Sequence, residues 1–115
     1  MRALSVQVQP QRATGLDVDR LVAAFDEIAA MADLVSHHQF DRGHHQGAYL
    51  NFTFGSSNAA ALWRRIRERL YEDGALGPHM RAASMAMCSS EAGWDDYLQL
   101  YHFDPAVPLD PDTSL

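Results

Sequence analysis

SHHQFDRGHHQGAYLNFTF, residues 36–54, reads as two β-strands joined by a tight turn at Arg42-Gly43-His44. In its second half Leu50, Phe52 and Phe54 alternate with Tyr49, Asn51 and Thr53, and a period of two sends the first set to a buried face and the second to the opposite one. The preceding strand must agree in phase, which places Phe40 in the core beside Leu50. A three-residue turn containing Gly43 gives that phase by pairing Asp41 with His45 and His37 with Tyr49. His37, Gln39, Asp41, His45, Tyr49, Asn51 and Thr53 then share the outer face, with His38 on the inner one.

Towards the N-terminus, residues 3–9 alternate again, Leu4, Val6 and Val8 inward and Ser5, Gln7 and Gln9 outward, until Pro10 ends the strand. Asp17 can cap a helix whose apolar residues Val18, Leu21, Val22, Phe25, Ile28, Ala29 and Ala32 recur at spacings of three and four. On the other side of the hairpin, Gly55-Ser56-Ser57 opens a second helix with Leu62, Trp63, Ile66 and Leu70 on one stripe and Gly74 as its stop. A loop over 74–78 leads to a strand at Met80–Cys88, and a turn over 89–95 leads to another at Asp96–Phe103. In that last strand Leu98 and Leu100 share one phase with His102, and Tyr97, Gln99 and Tyr101 the other. Pro105, Pro108 and Pro111 make residues 104–115 an extended tail outside the single domain of residues 1–103.

The order β-α-β-β-α-β-β, with right-handed crossovers, predicts an α+β fold: a ferredoxin-like β-α-β-β-α-β sandwich with an added C-terminal strand, its two helices on one face of an antiparallel sheet. The other face then has no helix to cover it. Its expected residues are Ser5, Gln7, Gln9, His37, Gln39, Asp41, Tyr49, Asn51, Thr53, Tyr97, Gln99 and Tyr101, and only Asp41 carries a formal charge. Tyrosine and neutral polar side chains offer contact area at low desolvation cost, as the centres of protein interfaces do. The plain alternative is a polar face wetted by solvent.

At 115 residues the chain can bury one ordinary core without staples. An apolar fraction of 47% and a charged fraction of 21% fit a globular protein, and no window has the apolar length needed to cross a bilayer. The N-terminal residues alternate like a strand and lack the apolar run of a secretory signal, so a cytoplasmic location is expected. A formal charge of −6 argues against nucleic acid as a partner, because such binding needs clustered cations. The basic residues are all arginines, and Arg64–Glu68 and Arg69–Asp73 have the spacing of ion pairs on a solvated helix face.

The doublets His37-His38 and His44-His45 invite a metal reading, since imidazole ligates zinc, copper and nickel. Strand geometry weakens it: each doublet offers one residue per face, and four residues of strand span about 13 Å. No metal and no cofactor are therefore expected. Asp41 and His45, facing each other across the hairpin, could form a general base and its orienting carboxylate, the best catalytic pair in the chain. The lone Cys88 excludes an internal disulfide, and a Cys88–His102 dyad would span about 20 Å of strand. Trp94, in the acidic loop EAGWDD, is either an anchor for a partner or a lid folded over the end of the core.

In element order and in its uncharged outer face, the pattern over residues 3–103 resembles the ferredoxin-like domains that dimerise through their sheets, the dimeric α+β barrels. That resemblance implies a homodimer binding a small molecule at the sheet face, with His37, Tyr49, Asn51, Gln99 and Tyr101 as the lining. It does not fix an activity, because such folds host many. Two other readings stand beside it: a monomeric acidic interaction module of the inhibitor or immunity type, using the sheet face or Trp94, and a small cofactor-independent enzyme built on Asp41 and His45.

Overall fold

The structure is a computed structural model that describes all 115 residues. Eight regular elements form in the order β1 (Arg2–Val8), α1 (Val18–Ala29), β2 (His37–His44), β3 (Ala48–Ser56), α2 (Ala59–Ile66), α3 (Gly77–Ala83), β4 (Ser84–Ser90) and β5 (Gly93–His102). The strands make one open antiparallel sheet in the order β2-β3-β1-β4-β5. It is an α+β fold with three helices. No helix is long and apolar enough to cross a membrane.

The core follows from alternation. Leu4, Val6 and Val8 on the central β1 are each flanked by Phe54, Phe52 and Leu50 of β3 on one side and by Cys88, Ala86 and Ser84 of β4 on the other. Leu21, Ala24, Phe25 and Ile28 of α1 and Leu62, Trp63 and Ile66 of α2 close over this face. Phe25 stacks on Phe52 at 3.9 Å between ring centres, and Phe40 meets Phe52 edge-on at 4.9 Å. The starts of α1 and α2 are sealed by side chains: Asp17 accepts the Arg20 N–H and Asn58 accepts the Ala61 N–H.

The end of α2 departs from expectation. The chain widens there, and the Glu72 N–H reaches back five residues to the Arg67 carbonyl at 2.9 Å. The wide turn rotates the following side chains away from simple four-residue spacing, so the pairs Arg64–Glu68 and Arg69–Asp73 do not form. Arg65 meets Glu68 at 3.8 Å and Arg69 meets Glu27 at 2.8 Å. Asp73 instead accepts the N–H groups of Ala75 and Leu76, which turns the chain into α3. Residues 80–83, expected as strand, belong to that helix; Pro78 in its first turn suits a helix start, and β4 begins only at Ser84.

The hairpin turns three residues later than expected, at His45-Gln46-Gly47, with Gln46 and Gly47 at φ 55 and 127. Gly47 supplies the left-handed conformation that closes it. Gly43 stays in the strand, where the Tyr49 ring lies across it and a Cβ would run into that ring. The shift preserves the faces but changes every partner: Asp41 pairs with Asn51 and His37 with Gly55.

β5 carries a second departure. Ala86 pairs with Tyr101 and Met87 with Gln99, so one extra residue, Leu100, is inserted between them. This bulge keeps Leu98, Leu100 and Tyr101 all on the helix side and turns His102 to the outer side, opposite Met85. Tyr101 and His102 thus exchange the faces that alternation assigns them. The tail is also attached: Asp110 donates its N–H to the Gln99 carbonyl at 2.9 Å and accepts the Gln99 N–H on its carboxylate at 2.8 Å.

Candidate functional site

Register aligns the outer face into rows that cross all five strands. One row runs Gln39, Thr53, Ser5, Met87, Gln99, and the next runs Asp41, Asn51, Gln7, Met85, His102. At about 4.8 Å between strands the rows are about 19 Å long. Asp41, at the β2 edge, is the only carboxylate in them, and no helix covers them. Met85 and Met87 enter this face because β4 begins at Ser84; their alternation was masked by the small residues between them.

The polar members of the face are paired with one another. Ser5 Oγ and Thr53 Oγ1 lie 3.2 Å apart, and Gln7 Nε2 donates to Asn51 Oδ1 at 3.2 Å. Gln9 Nε2 donates to Gln7 Oε1 at 3.0 Å, and Arg12 Nε donates to Gln9 Oε1 at 2.6 Å. Gln39 Nε2 donates to both Asp41 oxygens. Covering this face therefore leaves few polar groups newly unsatisfied.

The residues expected to line a ligand pocket here are not gathered. His37, on edge strand β2 with its ring across Gly55, and Gln99, on edge strand β5, are four strand spacings apart. Tyr49 and Asn51 are neighbours on β3, and Tyr101 is on the other side of the sheet. Trp94 is 44% exposed at the start of β5 and lines an open trough of about 330 Å³ with His37, Gly55 and Ser89. The Asp41–His45 pair does not form: Asp41 is in the strand against Asn51, His45 is in the turn, and no contact links them. Cys88 is fully buried on the inner face, burial pushes its thiol pKa up, and His102 is on the opposite face. No three His, Cys, Asp or Glu side chains gather around a common point that would hold a metal ion.

A second concavity, invisible to strand alternation, opens on the helix side between α2, α3 and β5. It measures about 380 Å³ and is walled by Trp63, Tyr71, Leu100, Tyr101 and Leu109. Trp63 meets Tyr71 edge-on at 5.5 Å, and Tyr71 meets Tyr101 at 5.0 Å. Ser84 Oγ donates to the Met80 carbonyl, so the Tyr71 hydroxyl is the donor in its 2.7 Å contact with Ser84. Burial raises the Tyr71 pKa well above its ordinary value, and burial raises that of Tyr101 as well. Tyr101 donates to the Arg81 carbonyl, and Arg81 Nη1 donates to the Tyr71 carbonyl, both at 2.6 Å. Trp63 and Arg67 were legible only as a core stripe and a helix-surface charge; the bulge and the tail that complete the cleft leave no periodic signal.

Comparison of the chain with protein-family models, with curated proteins and with solved structures finds no match. The functional reading rests on the chain's own residues.

Proposed function

We propose that the protein is a homodimer of ferredoxin-like domains of the dimeric α+β barrel type, two copies joined through their outer sheet faces. The observation that carries this is the outer face itself: a five-strand surface with methionines in its middle, mutually bonded polar neighbours, and one carboxylate at its edge. The chain is acidic, so most of its surface repels a second copy. This face is where an equally acidic copy approaches without like charges meeting. With strands of seven residues about 23 Å long, the face has a flat area of about 440 Å², roughly half of the ~800 Å² that each partner contributes to a standard interface. A twofold pairing also needs a self-complementary patch, and a neutral one meets that condition with least constraint.

Met87→Arg tests the proposal. It places a cation in the middle of the face while leaving the inner face intact, and the expected result is at least about tenfold weaker self-association by sedimentation. The exposed helix change Arg65→Glu serves as control and leaves association unchanged. A monomeric wild type that captures a specific basic protein would favour the interaction-module reading.

A further inference from the structure

The helix-side cleft holds two buried hydrogen-bond donors with nothing to bond. Trp63 is only 2% exposed, and its indole Nε1 has no acceptor; Nε of Arg67, one helical turn on, has none either. Natural interiors rarely leave such donors unmatched, because each unmatched one keeps its desolvation cost. Both residues line the 380 Å³ concavity, whose other walls are aromatic and aliphatic side chains together with the charged Glu72, Arg81, Asp110 and Asp112. The guanidinium lies 5.9 Å from the Trp63 ring centre, so the two donors belong to one corner.

Three of the remaining polar groups are committed elsewhere, and Glu72 is an exposed carboxylate. Arg81 is bonded to the Tyr71 carbonyl, Tyr101 to the Arg81 carbonyl, and the Asp110 carboxylate to the Gln99 N–H. The one anion on Arg67 comes from the tail: Asp112 Oδ2 sits 2.8 Å from Nη1, with its side chain 43% exposed. The segment carrying it is anchored upstream at Asp110. Beyond that point it is held by this ion pair, by a 3.4 Å contact of Arg2 with the Ser114 carbonyl and by Leu115, which packs against the core.

We infer that the cleft is a binding site for a small organic monocarboxylate with an aromatic or aliphatic body, and that Asp112 is the chain's own stand-in for the ligand carboxylate. The incoming carboxylate replaces Asp112 on the Arg67 guanidinium, charge for charge, and one of its oxygens takes the free Trp63 and Arg67 N–H groups. Its apolar body lies against Tyr71, Leu100, Tyr101 and Leu109. A guanidinium donor beside an indole donor selects an anion over a neutral amide of the same shape. The volume suits a ligand at the small end of those that ordinary pockets hold. The cleft is on the side of the sheet away from the outer face, so the site does not depend on dimerisation.

The test uses 3-phenylpropionate and its neutral amide as probes, followed by calorimetry and by the Trp63 indole N–H resonance. That resonance is identified as the indole signal lost in Trp63→Phe. The acid is expected to bind saturably and shift the signal, with the amide about tenfold weaker. Asp112→Asn, an exposed change that leaves the core alone, is expected to tighten the acid about five- to tenfold by removing its competitor, and Arg67→Gln to abolish the preference for acid over amide. An indole signal that never moves, equal binding of acid and amide, or an Asp112→Asn variant with unchanged affinity would each overturn the assignment.

Discussion

Gly77 shows how one residue fixes the relation between two elements. A Cβ at that position would lie 2.5 Å from the Tyr71 carbonyl oxygen, a backbone atom that cannot rotate away, whereas a Cβ at Gly74 would meet nothing. Gly77→Ala is therefore expected to lower stability by about 1–2 kcal/mol, despite the better helix propensity of alanine. Gly74→Ala is expected to be neutral or slightly stabilising. Urea midpoints of the two variants check this directly, and equal effects would mean that α3 is free to move away from the wide turn. The same close approach matters to the cleft, because the Tyr71 carbonyl that crowds Gly77 also receives Arg81. Residue-scale chemistry was partly legible: Asp17 and the Leu50-Phe52-Phe54 series act as their types suggest. Gly43 does not, because a glycine can serve as the seat for a neighbouring ring as well as a turn.

Elements differ in how much of themselves they show to periodicity. β1, α1 and β3 repeat apolar residues in one phase along their length and were readable. The hairpin kept its faces but not its register, since moving the turn by three residues shifts every partner by six, an even number that leaves alternation unchanged. That is why Phe40 faces the core as expected and Asp41 never meets His45. β5 failed differently: the inserted Leu100 breaks the period at one point, so everything beyond it, Tyr101 and His102, changes side. The wide turn ending α2 had the same effect on the arginine pairs. Its sequel, the turn held by Asp73, makes an acid-sensitive joint. The Leu76 N–H, with those of Ala75 and the charge of Arg20, holds the Asp73 pKa below the ordinary carboxylate value. A depressed folded pKa means that this stabilisation is complete above the unfolded value, near 3.9, and is lost as pH falls through the folded one. Thermal midpoints measured from pH 6 to pH 3 are expected to fall for the wild type and to fall less for Asp73→Asn, which begins lower. Equal slopes would remove Asp73 from the account.

At the scale of the molecule, charge and cover are distributed unequally. Two faces exist for one sheet, and all three helices lie on one of them. The ion pairs Arg69–Glu27, Arg67–Asp112 and Arg20–Asp73 belong to the helix side and the tail, while the middle of the outer face is neutral. The tail protects the β5 edge through Asp110 and also closes the cleft through Asp112, so the chain covers one of its two sheet edges by itself. The uncharged outer face was visible in the sequence because it needs only alternation and composition. Its methionine centre and the cleft behind it were not, because they depend on where β4 begins and on contacts between residues far apart in the chain. The most direct measurement is the light-scattering mass of the unmodified protein across a concentration series. A mass of twice the 12.8 kDa chain, holding or rising with added salt as repulsion between acidic copies is screened, is the predicted result. A mass of 12.8 kDa at every concentration would contradict pairing through the sheet.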